Sequence, residues 1–335
     1  MPVSPEQRTQ AVFPGVARER GHYESFYLRL SHPSEPLGVW IRHTVHKRPG
    51  AEATGSVWFT LFGAAGPRAS KVTVGPEELS VPSGGYIRIG DSSLAPGRAV
   101  GSAPSDQLSP SWDLSFEPGA AAFHHLPRGW MYRAPVPRTK TLSPHPSTTF
   151  SGTVTVDGET TQVDGWRGMV GHNWGAEHAE RWIWTNGADF DGHPDAYLDA
   201  AVGRIKLGRF TTPWIGNGVL FVDGALYRLG GIERTRATVV RETPQGAQLV
   251  LPGKGVNVSG RVGAPADRFV GWEYADPDPG SGVHNTVNCS LASMTLTVER
   301  DGQAPLELHT EHGASYELGM RETDHGVALQ PFGDG

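Results

Sequence analysis

Asp-Gly pairs stand at Asp157-Gly158, Asp191-Gly192, Asp223-Gly224 and Asp301-Gly302, each between runs of β-branched, aromatic or alternating residues. Both residue types tolerate positive φ, so such a pair reads as a tight hairpin turn joining antiparallel neighbours. The runs themselves agree. Trp112-Asp113-Leu114-Ser115-Phe116-Glu117 alternates apolar and polar, as a half-buried strand must. Val39-Trp40-Ile41-Arg42-His43-Thr44-Val45 and Ser56-Val57-Trp58-Phe59-Thr60-Leu61-Phe62 suit the interior of a sheet. No long segment repeats apolar residues at helical spacing, and 44 glycines and 27 prolines in 335 residues favour many turns over helix. The expectation is an all-β protein built of antiparallel meanders.

The length admits two domains or one large β domain. No charged or Gly/Ser linker interrupts the chain, so two β domains should pack tightly. The β pattern restarts at Trp182-Ile183-Trp184, which places the boundary near 180 and gives domains 1–180 and 181–335. Loops are expected over Gly90 to Ser111, rich in Ser, Pro, Gly and Ala, and over 127–147, with five prolines. Residues 330–335 read as a frayed tail.

Several classes of function are disfavoured. Net charge is −6 with no run of Lys or Arg, which argues against nucleic acid. No eighteen-residue apolar stretch suggests a spanning helix, although peripheral membrane contact stays open, as does the oligomeric state. The first eight residues carry no signal-peptide pattern, and Cys289 is the single cysteine, so a cytoplasmic setting is the simplest expectation. Cys289 itself reads as a small buried apolar residue. Among 14 histidines no metal-ligand spacing occurs; His124-His125 are adjacent and should point to opposite faces of a strand. Neither a Gly-x-Ser-x-Gly elbow nor a phosphate-binding glycine loop is present, so no cofactor is expected.

What chemistry remains gathers around Gly171-His172-Asn173-Trp174-Gly175 and Tyr197-Leu198-Asp199, with Trp166, Trp174, Trp182 and Trp184 nearby in sequence. Period-2 geometry puts Tyr197, Asp199 and Ala201 on one strand face and Leu198, Ala200 and Val202 on the other. A carboxyl group in an apolar pocket is disfavoured as an anion and can stay protonated near neutral pH. Such a neutral acid can protonate an alkene if aromatic rings stabilise the cation that forms. Blander roles are equally open. Asp199 could bond backbone amides, His172 could satisfy a turn, and the tryptophans could simply pack.

The segments Trp40-Ile41-Arg42-His43-Thr44, Gly168-Met169-Val170-Gly171-His172-Asn173-Trp174-Gly175 and Gly313-Ala314-Ser315-Tyr316-Glu317 resemble the carotenoid 1,2-hydratase (hydroxyneurosporene synthase) superfamily, with tocopherol cyclases and lipocalin-like Diels–Alderases as more distant relatives. The resemblance implies two tandem lipocalin-like β domains with a cavity in or between them, and a hydrophobic small-molecule substrate. It also implies a His-x-Trp pair, matched by His172 and Trp174, and a Tyr-x-Asp pair, matched by Tyr197 and Asp199. On this reading Asp199 is the general acid, His172 orients the carboxyl or a water, and Tyr197, Trp174 and Trp182 shield a cation. Trp40, Trp166 and Trp184 complete the candidate substrate contacts. The expected reaction is a proton-initiated hydration or cyclisation of an isoprenoid C=C bond. A cofactor-free pericyclase and a non-catalytic carrier of a hydrophobic ligand are the alternatives.

Overall fold

The computed structural model describes residues 9–117 and 120–333, and they form two large antiparallel sheets with helix confined to short 3-10 turns. No helix among the described residues is long and apolar enough to cross a membrane. The first sheet holds every strand from His22–Ser31 to Glu159–Gly175, and the second holds those from Arg181–Gly187 to Leu306–Met320, except a small ribbon at 206–211. In the first, His22–Ser31 lies between Gly38–Lys47 and Glu159–Gly175. In the second, Arg181–Gly187 lies between Tyr197–Arg204 and Leu306–Met320. A bridge between Leu229 and Gly253 brings the two sides of the second sheet together, so that it curls towards a barrel.

Alternation explains how the two sheets join. His22–Ser31 and Gly38–Lys47 are buried at all ten positions each, as strands covered on both faces must be. Phe26, Leu28, Val39 and Ile41 point into the core of the first barrel. Trp40 points the other way and, with Trp58 and Phe62, joins the core of the second barrel. The Trp58 ring meets Trp272 edge-on at 4.9 Å, an arrangement aromatic quadrupoles favour. Arg29 also crosses the junction, donating from Nε to Asn186 Oδ1 at 3.2 Å and from a terminal nitrogen to the Gly313 carbonyl. Cys289 lies in the second core, and burial pushes its thiol up to about 12.

Three sequence expectations change. The segment from Gly90 to Ser111 contains the strands Ser92–Ala95 and Arg98–Ser102, joined by a turn with Gly97 at φ +78°. Its buried apolar residues, Leu94, Ala99, Ala103 and Leu108, are few and irregularly spaced, so they show no strand pattern. The segment 127–147 contains the start of Thr139–Val156, whose register slips between Leu142, His145 and Thr148. Those bulges accommodate Pro144 and Pro146, which cannot donate to a ladder. The tail is also docked. Gln330 N donates to Gly271 O at 2.9 Å, the Phe332 ring lies 6.3 Å from Trp272, and Lys71 Nζ donates to the Gly333 carbonyl. Residues 334–335 lie outside the described residues.

Candidate functional site between the barrels

A cavity of roughly 210 Å³ opens where the two sheets meet. Tyr23, Tyr27, Trp40 and Arg42 line it from the first sheet, and Trp182, Trp184, Tyr274 and Glu317 from the second. Two glycines make the close approach of these rings feasible. A Cβ on Gly171 would stand 2.2 Å from Tyr27 Cζ, and one on Gly319 would stand 2.2 Å from ring atoms of Trp182. Tyr27 then meets Trp184 edge-on at 5.2 Å. Burial raises the pKa of both Tyr23 and Tyr27 above the usual phenol value, and for Tyr27 the charges of Asp199 and Glu317 add to it. These tyrosines therefore remain neutral phenols.

Asp199 is fully buried beside this cavity, between strands bearing Asn186 and Val219. Its neighbours Leu198 and Ala200 enter the second core, Val202 belongs to that core and also lines the cavity, and Ala201 lines the cavity. Ser143 Oγ donates to Asp199 Oδ2 at 2.5 Å, and Trp184 Nε1 donates to Oδ1 at 3.3 Å. His125 Nε2 lies 3.3 Å from Oδ2 and 3.1 Å from Ser143 Oγ, and the His125 ring lines the cavity. His125 Nδ1 faces the Asn217 carbonyl at 3.2 Å, which only accepts, so that nitrogen carries a hydrogen. Asp199, Ser143 and His125 thus form a connected set of side chains along which a proton can pass.

The remaining candidates sit elsewhere. His172 lies on the opposite face of its strand from the cavity, which Asn173 lines. Its Nε2 donates to Glu24 Oε1 at 2.8 Å, and its ring stacks on Phe26 at 3.8 Å and Trp174 at 4.4 Å. The pairing of His172 with Asp199 that the resemblance implies is thus replaced by His172 with Glu24 and His125 with Asp199. Glu24 also accepts from Val12 N at 2.8 Å, Phe13 N at 2.7 Å and His22 Nε2 at 3.3 Å. Burial alone would push its carboxyl up, but the hydrogen bonds from His172 and His22 hold it down at about 2. Burial lowers His172, consistent with a neutral imidazole whose Nδ1 has no partner. Tyr197 stacks on Phe221 at 5.5 Å, and burial, with the charge of Asp199, pushes its phenol up to about 12. Trp166 is buried in the first core, edge-on to His32. Of the five candidate tryptophans, Trp40, Trp182 and Trp184 line the cavity.

Sequence reasoning assigns no role to three groups at this site. Glu317 accepts from Trp182 Nε1 at 3.0 Å, Tyr274 OH at 3.2 Å and Asn288 Nδ2 at 3.2 Å. Arg42 lays its guanidinium 3.9 Å from the Tyr274 ring centre and donates to Ser25 Oγ at 2.7 Å. His178, stacked on Tyr23 at 3.9 Å, meets Asp276 Oδ1 at 2.8 Å, and His284 lies 3.8 Å from Oδ2. These last three residues are of metal-ligating type, but His178 and Asp276 lie in connections and His284 on a strand far from His178 in sequence, so no spacing announces them. Arg321 stands 3.4 Å from the same Asp276 oxygen, a cation already in place beside the carboxylate.

This two-sheet architecture is the lipocalin-like fold of AttH-type proteins. A Nitrosomonas europaea protein described as AttH superposes with a TM-score of 0.58 at 14% identity, covering 96% of this chain and 98% of that one. Kievitone hydratase from Nectria haematococca superposes with a TM-score of 0.50 at 11% identity, covering 90% and 89%. By sequence, uncharacterized proteins from two strains of Mycobacterium tuberculosis are 27% identical over 325 residues, spanning 95% of this chain and 92% of theirs. No protein-family pattern matches the chain.

Proposed function

We propose that this protein is an enzyme that protonates a carbon–carbon double bond of an apolar, prenyl-type small molecule held between the two barrels. The observation that carries the reading is Asp199, fully buried behind His125 and Trp184 of the cavity lining, with Ser143 and His125, two groups that can exchange protons, among its partners. The alkene π pair takes the proton delivered from the Asp199–Ser143–His125 set, forming a C–H bond and a tertiary cation. The π faces of Trp184, Trp182 and Trp40 stabilise that cation. Water, or an oxygen of the substrate itself, then forms the C–O bond and returns a proton to the ionised set. The likeness of the fold to a protein named as a hydratase, and of the motifs to carotenoid hydratases, supports this chemistry.

The test is Asp199→Asn, followed through incorporation of solvent deuterium into prenylated alkenes. Asparagine keeps the shape and loses the transferable proton, so label should be lost while ligand binding persists. Incorporation at the wild-type rate would reject acid catalysis and leave a shape-based pericyclase or a carrier.

A further inference from the structure

Two short segments border the mouth of the cavity, and both differ from the rest of the chain. One runs from the 3-10 turn Gly129–Tyr132 to Arg138. The other is the ribbon Lys206–Leu207 with Phe210–Thr211, which belongs to neither large sheet. Val136, Arg138, Lys206 and Leu207 all line the cavity, so the two segments flank one opening. Trp130, Val136, Leu207 and Phe210 are 67, 54, 52 and 65% exposed, and none belongs to a core cluster. Leu207 and Phe210 are cross-strand partners, so the ribbon presents an apolar pair to solvent. Single exposed apolar residues are ordinary; four on two segments around one opening mark a contact surface.

Charge says what that surface meets. The chain has 35 acidic and 29 basic residues, yet no Asp or Glu occurs between Glu117 and Asp157, or between Asp199 and Asp223. Within those stretches Arg128, Arg133, Arg138, Lys206 and Arg209 are exposed around the mouth. Two acidic side chains line the cavity: Glu317, bonded to Trp182, Tyr274 and Asn288, and Glu177, which pairs with Arg138. The result is a basic, aromatic rim on a protein of net charge −6.

We propose that this rim seats on an anionic lipid surface and holds the cavity mouth against it, so that an apolar ligand passes between bilayer and cavity without crossing water. Tryptophan favours the headgroup level, Leu and Phe enter the acyl boundary, and Lys and Arg are drawn to anionic headgroups. The proposal stands apart from the acid chemistry, because the rim would dock whether or not Asp199 delivers a proton.

Co-sedimentation of the full chain with phosphatidylcholine vesicles, with and without phosphatidylglycerol, tests it. Binding should require phosphatidylglycerol and fall with added salt. Lys206→Glu combined with Arg209→Glu should weaken it at least about tenfold, as should Trp130→Ser combined with Phe210→Ser. Leu226→Ser combined with Ile232→Ser changes two residues that are 57 and 67% exposed and do not line the cavity, and should leave binding intact. All six positions are exposed, so circular dichroism should show each variant folded. Failure of the wild type to bind, or rim variants binding as well as the wild type, would overturn the proposal. So would light scattering that finds a dimer which Phe210→Ser dissolves, since the rim would then cover a second copy of the chain.

Discussion

Two buried carboxylates, each beside a histidine, have opposite surroundings. Glu24 sits in the first barrel and receives two main-chain N–H groups in addition to His172 and His22. Main-chain donors cannot surrender their hydrogens, so this carboxylate is locked as an anion that ties the segment at Val12 and Phe13 to the barrel. Asp199 sits between the barrels and has Ser143, His125 and Trp184 around it, with a cavity alongside. A hydroxyl and an imidazole can pass a proton on. The same pair of residue types thus reads as an anchor in one place and a proton store in the other, and the donors decide which.

The largest expected effect follows from that contrast. Asp199→Asn should lower turnover by at least about a hundredfold, the usual scale for a general acid, while the urea midpoint moves little. Glu24→Gln should do the reverse, lowering stability by about 2–3 kcal/mol with turnover per folded molecule unchanged. If Glu24→Gln abolished turnover in folded protein, the anchor reading would be broken.

Acid titration sharpens the same point. The Glu24 carboxyl is depressed from 4.5 to about 2, so its contribution is complete above about pH 4.5 and disappears as pH falls towards about 2. The difference corresponds to about 3 kcal/mol, and denaturation curves of Glu24→Gln over this range should lack that slope.

A smaller effect is expected of His125→Gln, about a tenfold loss of rate, because Asp199 stays in place with Ser143 and loses only one relay partner. A loss larger than that of Asp199→Asn would make His125 the principal donor. Smallest of all, Tyr197→Phe should stay near the wild-type rate in the same assay, since the ring packs on Phe221. A large loss would return Tyr197 to the reacting centre.

Local features of the fold were legible because they are local in sequence. Asp157-Gly158 and Asp223-Gly224 have positive φ at both residues and close Val156 on Glu159 and Val222 on Ala225, as tight hairpins require. At Asp191-Gly192 and Asp301-Gly302 positive φ falls on the glycine alone, which longer or looser turns allow. Alternation through Ala196–Val202 likewise puts Ala196, Leu198, Ala200 and Val202 in the second core. Partnerships across the junction were not legible. His172 and Asp199 stand close in sequence but on different sheets, and one step of alternation turns His172 inward and Asn173 towards the cavity. Ser143 lies 56 residues from Asp199, within a proline-bearing strand whose bulges conceal its register. Glu317 and Arg42 fall inside motifs the resemblance uses, yet only the assembled cavity gives them partners.

The tail that docks at Gly333 has a consequence for how the molecule is made. Synthesis delivers the first twelve strands while Trp40, Trp58 and Phe62 have no second barrel to cover them. Lys71, whose ammonium lies 3.8 Å from the Trp58 ring centre, meets the Gly333 carbonyl only after every strand of the second sheet has been synthesised. The nascent first sheet must therefore wait with a sticky aromatic face exposed, and a segment beyond the second sheet closes the outer edge of some of the strands made before it.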